Sequence, residues 1–190
     1  MKLRQVLSGY YENKKSSKGF TLIELLVVIA ILGVMAAMLV AAIDPFEQIK
    51  KSQDTSLKDL VTEFNDANVR YYANHSALPW FSVANGGANC YTGGNTLSAV
   101  SLTSLGTCIQ TLVSDGELKQ AFSVASNLGQ VVVTNPNPQT NNATDSIVCF
   151  LPQSKSQQKD PNTKYNQSGA LQASGCKSQG GAVSCYWCAQ

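Results

Sequence analysis

The sequence holds a single histidine, His75. It shows no phosphate loop, no Gly-x-Ser-x-Gly, no His-Glu-x-x-His and no EF-hand pattern. One imidazole near a predicted helix end, with no acid or nucleophile pattern around it, reads as a surface residue and receives no chemistry. No catalytic, cofactor-binding or metal-ligating residue is therefore assigned, and neither enzyme activity nor a cofactor is expected. Charge is scarce too, at 14% of residues with a net of +2. It is also unevenly placed. Lys2, Arg4, Lys14, Lys15 and Lys18 are set against Glu12 ahead of residue 20, which leaves the rest of the chain slightly acidic. A near-neutral, faintly acidic body argues against nucleic acid as a main partner.

Proline is missing from the one long apolar stretch, residues 20–43. Its single glycine is Gly33 and its single charge is Glu24. As an α-helix this stretch would be about 36 Å long, enough to cross the hydrocarbon core of a bilayer. A segment apolar on all sides cannot be a surface helix of a soluble domain; it sits in lipid or against other apolar helices. The basic residues before it hold that end in the cytoplasm, so the rest of the chain lies across the membrane. A carboxylate inside such a segment costs roughly 2–3 kcal/mol on insertion scales. Glu24 is then either a functional group with a partner to be named or a boundary carboxylate that reaches water. A secretory signal is the competing reading of the stretch, with Val40-Ala41-Ala42 as a cleavage site. Its apolar core would be about 7–15 residues, shorter than this one, and Glu24 is misplaced for it.

Gly19-Phe20-Thr21-Leu22-Ile23-Glu24-Leu25-Leu26-Val27, preceded by Lys18 and followed by apolar residues, resembles the processing site of the type IV prepilins and type II secretion pseudopilins. The resemblance covers roughly the first third of the chain. It implies cleavage after Gly19 by a membrane peptidase, N-methylation of the new terminus Phe20, and a docking role for Glu24 in subunit assembly. It further implies identical or related pilin subunits as partners, with an inner-membrane platform protein and, indirectly, an assembly ATPase. Elementary electrostatics agrees with it. Cleavage before Phe20 exposes an α-amine, largely protonated near neutral pH because its reference pKa is about 8. That ammonium and Glu24 lie one helical turn apart and can neutralise each other within a chain, or pair between neighbouring chains. The second arrangement makes Glu24 a register mark for assembly.

No cysteine precedes Cys90. Cys90, Cys108, Cys149, Cys176, Cys185 and Cys188 all follow the apolar stretch. An even count in an exported domain reads as a disulfide set, and six cysteines leave many pairings open. The assignment adopted is Cys90 with Cys108, Cys149 with Cys188 and Cys176 with Cys185. Cys185-Tyr186-Trp187-Cys188 lacks the second Cys-x-x-Cys that a zinc site would need. A thioredoxin-like role would need the pair at a helix start in a βαβ context. These two cysteines carry the alternative reading, a membrane-anchored or secreted domain with a thiol-redox or binding role.

The predicted organisation has four parts. Residues 1–19 are a leader that is removed. Residues 20–43 form a transmembrane or filament-core helix, and residues 44–75 continue it amphipathically. Residues 76–190 form a globular α+β head. Pro45 lacks an N–H and is expected to kink the helix. Beyond it Phe46, Ile49, Leu57, Leu60, Val61, Phe64 and Tyr71 form a stripe that can cover a sheet. Glu47 with Lys51 and Asp54 with Lys58 have favourable i, i+4 spacing on a solvated face. Trp80 and Phe81 are expected to anchor a Gly- and Asn-rich loop over residues 76–103. A short helix over 104–121 would turn Ile109, Leu112, Val113 and Leu118 inward and weaken at Asp115-Gly116. Strands are expected over 130–134, 146–151 and 183–188, with a long polar loop over 153–182. The expected fold is α+β and pilin-like: a long N-terminal helix, membrane half plus amphipathic half, packed on a small antiparallel sheet and stapled by disulfides. The cytoplasmic membrane is the expected location, with the head extracytoplasmic.

Overall fold

The computed structural model describes residues 19–42, 44–137, 145–172, 178–179, 182–183 and 185–189. These fall into two units that meet between Asp44 and Pro45. The first is a single helix, α1 (Leu22–Ala42). It has no polar face, because Leu, Ile, Val, Ala and Met occupy almost every position. Its described side chains are all exposed.

The second unit is α+β. It begins with α2 (Pro45–His75). Pro45 stands at the first helical position, where a missing N–H costs nothing and the fixed φ suits the helix. Leu57, Val61, Phe64, Ala67, Asn68 and Tyr71 are buried, and their spacing of three and four makes one stripe. That stripe packs on a five-stranded antiparallel sheet built from β1 (Val100–Ser101), β2 (Val131–Thr134), β3 (Ile147–Phe150), β4 (Thr163–Tyr165) and β7 (Tyr186–Ala189), in the order β1-β2-β3-β7-β4. A separate hairpin pairs β5 (Ser178–Gln179) with β6 (Ala182–Val183).

Alternation along the strands sorts the side chains. Val131, Val133, Val148, Phe150 and Trp187 join the core cluster that includes α2. Val132, Ile147, Cys149 and Cys188 form a second cluster. Both faces of β2 and β3 are buried, which is why those segments read as unbroken β-branched and apolar runs. Lys58 bridges α2 to the sheet, its Nζ 4.8 Å from the centre of the Trp187 ring and 3.5 Å from Asp160 Oδ2.

The loop after α2 is anchored by Leu78, Trp80 and Phe81, all buried. It closes tightly: a side chain on Gly87 would begin 2.2 Å from the Phe81 carbonyl oxygen. A disulfide joins Cys90 in this loop to Cys108 in α3 (Gly106–Ser114). The turn after α3 grips the end of α2. Arg70 Nε donates to Glu117 Oε2 at 2.9 Å, Asn74 Nδ2 donates to Glu117 Oε1 at 2.9 Å, and His75 Nε2 lies 3.5 Å from Asp115 Oδ2.

Four expectations need correction. Phe46 and Ile49 do not join the buried stripe; they are exposed, because the packed core begins only at Asp54 and Leu57. Asp54 is not on a solvated face and does not pair with Lys58. It is buried and serves the backbone of residues 153 and 154, while Lys58 turns to Asp160. The helix expected over 104–121 is interrupted. A 3-10 turn over Leu102–Leu105 precedes α3, Gly116 adopts φ 77° after it, and another 3-10 turn follows at Gln120–Val124. The polar run over 153–182 contains α4 (Lys155–Gln158) and the edge strand β4. Both are too short and too polar to show a hydrophobic period, since each is held by one residue's hydrogen bonds or by a single neighbouring strand.

Candidate functional site

The start of α1 is the site that the residues build. Thr21 precedes the first helical residue, so it stands at the N-cap, and Glu24 stands three positions later. Glu24 Oε2 accepts from the Thr21 N–H at 2.8 Å and from the Thr21 hydroxyl at 2.7 Å. The Glu24 N–H donates back to Thr21 Oγ1 at 3.3 Å. This reciprocal pair is a capping box, and it satisfies backbone donors that the helix cannot satisfy internally. The acid in the apolar stretch thus has a local partner in the uncleaved chain. The Ser/Thr-x-x-Glu spacing that signals this pair is present in Thr21-Leu22-Ile23-Glu24, and the sequence reading above passed over it.

Gly19 and Phe20 lie immediately ahead of the cap, both exposed and both outside regular structure. Phe20 is 73% exposed. A bond here stands in accessible chain outside regular structure, which is what a peptidase needs. Residues 1–18 of the expected leader 1–19 lie outside the described residues.

Behind the cap runs an apolar rod. Leu22–Val40 is long and apolar enough to cross a membrane, and none of that window is buried within the chain. Its length is about 28 Å at the α-helical rise, close to the hydrocarbon thickness of a bilayer. Leu, Ile, Val and Met side chains around its whole circumference remain uncovered. A water-exposed apolar surface of that extent is unstable without lipid or a protein partner.

Of the cysteines, Cys90–Cys108 and Cys149–Cys188 are bonded. The second is a cross-strand bond between directly paired residues of β3 and β7. Cys185 is disulfide-bonded as well, and Cys176, its assigned partner, lies outside the described residues. Because Cys188 is bonded to Cys149, Cys185 and Cys188 do not form a Cys-x-x-Cys couple with each other. The geometry that a thioredoxin-like reading requires is therefore missing. Among the described residues no group of His, Cys, Asp or Glu side chains could hold a metal ion. His75 stacks on Tyr71 with ring centres 4.1 Å apart and takes part in the grip on the α3 turn. Pro45 opens α2, as described above.

Residues 14–40 match the family described as the prokaryotic N-terminal methylation motif. No curated protein and no solved structure matches the chain. The matched span contains Gly19, Phe20, the Thr21–Glu24 cap and almost the whole of α1, and it is followed by an antiparallel α+β unit carrying two mapped disulfides. The chain thus bears at its N-terminus the signature of the type IV pilins and pseudopilins, on a pilin-like α+β architecture.

Proposed function

We propose that this chain is a structural subunit of a type IV pilus-like filament or a type II secretion pseudopilus. The observation that carries the reading is the uncovered apolar helix that lies almost wholly within the matched methylation motif. In this reading a prepilin peptidase removes residues 1–19 and methylates Phe20. The subunit waits in the cytoplasmic membrane with its N-terminus inside and its head outside. It then passes into a filament whose core is a bundle of such helices. The transfer is feasible because one apolar environment replaces another, so packing and polar pairing decide the balance. Glu24 supplies the polar pairing by meeting the α-amine of a neighbouring subunit. Pro45 is the residue at which α2 begins. An inner-membrane platform protein and an assembly ATPase supply the mechanical work.

Intact mass and N-terminal sequencing of the native protein test the reading. The expected chain begins at Phe20 and carries one methyl group on its amine, a mass gain of one CH2. A native chain beginning at Met1, or after Ala42 as a secretory signal would leave it, overturns the proposal.

A further inference from the structure

The core-facing stripe of α2 continues past the core. Phe46 precedes Phe64 by five helical turns and so lies on the same face, yet it is 75% exposed, and Ile49 is 56% exposed. The head's packed part stops just above them, where Glu47 accepts the backbone N–H of Lys155 at the start of α4. Around this end stand exposed Lys50 and Lys51 on α2 and exposed Lys155 on α4. The acids present there are Asp44 and Glu47. Two large exposed apolar side chains with lysines beside them match the chemistry of a phospholipid headgroup layer. The apolar groups reach the acyl boundary while the ammonium groups stay with the phosphates.

Chain length and the lysine charge together favour the bilayer as the occupant. Phe46 follows Ala42, the last residue of α1, by four residues. It therefore cannot lie more than about 14 Å of chain from the end of α1, whatever the angle between the helices. The same four residues advance about 6 Å along a helical path and about 14 Å when extended, so Phe46 starts within or just beyond the polar layer of about 5–8 Å on that side of a bilayer. We infer that Phe46, Ile49, Lys50, Lys51 and Lys155 form a collar that seats the head on the headgroup layer of the bilayer that α1 spans. The inference rests on the membrane-held subunit proposed above. The collar fixes the depth of the subunit and holds the head against the membrane before assembly.

Full-length protein carrying Phe46→Trp, in phosphatidylcholine–phosphatidylglycerol vesicles with and without brominated acyl chains, tests this. The native indoles of Trp80 and Trp187 are buried in the head, so the difference from the parent chain reports position 46. The expected added emission is blue-shifted, loses most of its intensity to bromolipid and resists aqueous acrylamide. Adding Lys50→Glu and Lys51→Glu is expected to remove most of the bromolipid quenching. Red-shifted, acrylamide-quenched emission overturns the collar. So does blue-shifted emission that ignores bromolipid and grows with protein density, which assigns the face to a second copy. A parallel Leu32→Trp variant keeps the two readings apart. If it is quenched by bromolipid while position 46 is not, only the collar fails. If it is not quenched, α1 is outside the bilayer and both readings fail.

Discussion

Ser154 gives both its backbone N–H and its hydroxyl to one carboxylate oxygen of Asp54, at 2.7 and 2.6 Å. The Gln153 N–H joins them at 3.0 Å from the other oxygen. Asp54 is on α2 and is 1% exposed; Ser154 caps α4 a hundred residues later. A buried charge on a core-facing helix is tolerated only when its lone pairs are filled. Here they are filled by the backbone at the start of the β3–β4 connection. The pair ties the polar connection between β3 and β4 to the long helix that carries the buried stripe.

Asp54→Ala should therefore be among the most damaging changes in the head. It leaves the buried N–H and hydroxyl of Ser154 and the part-buried N–H of Gln153 without that acceptor, at a cost of about 3 kcal/mol. Asp54→Asn keeps one acceptor oxygen and should cost less than half of that. Denaturant midpoints of the detergent-solubilised protein check both. Equal losses for Ala and Asn would show that the hydrogen bonds do not set the stability.

Glu24 has two roles that separate by substitution. Gln at position 24 still accepts from the Thr21 N–H, so Glu24→Gln keeps the cap but removes the charge. If Glu24 pairs with a neighbour's terminal ammonium, Glu24→Gln should be processed normally yet fail to enter filaments, as should Glu24→Ala. Thr21→Ala loses about 1 kcal/mol of helix-start stability but keeps the charge, so it should still assemble. Filament yield in a shear fraction, with N-terminal sequencing of the retained subunit, checks this. Normal assembly of Glu24→Gln would end the register role.

These two sites also show what could be read before the fold was known. The apolar stretch, β2 and β3 stand out because every position repeats one physical property, and burial on all sides leaves no alternation to confuse the reading. Trp80 and Phe81 stand out because bulky aromatics in a Gly-rich loop have nowhere to go but the core. Asp54 hides for the opposite reason. Its partners are backbone groups a hundred residues away, and no side-chain pattern marks a backbone donor. Its position three before Leu57 and seven before Val61 was the available clue, since that places a carboxylate on the buried stripe. β1 and β4 hide because edge strands of two or three residues take their structure from a neighbour rather than from their own period. Phe46 and Ile49 misled for a related reason: periodicity tells which face is apolar, but not how far along the helix the partner sheet extends.

The disulfides should rank by the length of chain that they close. Cys90–Cys108 spans 18 residues and Cys149–Cys188 spans 39. Loop entropy alone gives about 3 kcal/mol for the first and about 4 kcal/mol for the second. Paired Cys→Ser variants, Cys90/Cys108 and Cys149/Cys188, should unfold in that order of severity by thermal or denaturant melts. Because Cys149 and Cys188 are paired residues in the middle of the sheet, loss of their bond should also be felt as faster hydrogen exchange in β7. Equal exchange in β7 with and without the bond would show that strand pairing holds β7 unaided.

Asn68 offers a prediction of the opposite sign. It lies in the buried stripe of α2 at 0% exposure, and neither Oδ1 nor Nδ2 finds a hydrogen-bond partner among the described residues. An unpaired buried amide costs about 1–3 kcal/mol, and Leu repeats the branching of Asn in a bulkier, wholly apolar form with a better helix propensity. Asn68→Leu should therefore raise stability by about 1–2 kcal/mol, where most core substitutions lower it. An upward shift of the denaturant midpoint at unchanged m-value is the expected reading. A fall in the midpoint that Asn68→Ala shares would mean that the amide is satisfied after all, by an ordered water held in the core; a fall confined to Leu would mean overpacking. Asn68→Asp sharpens the test. It keeps the shape and adds a charge that no neighbour offsets, so it should destabilise by more than any neutral change at this position.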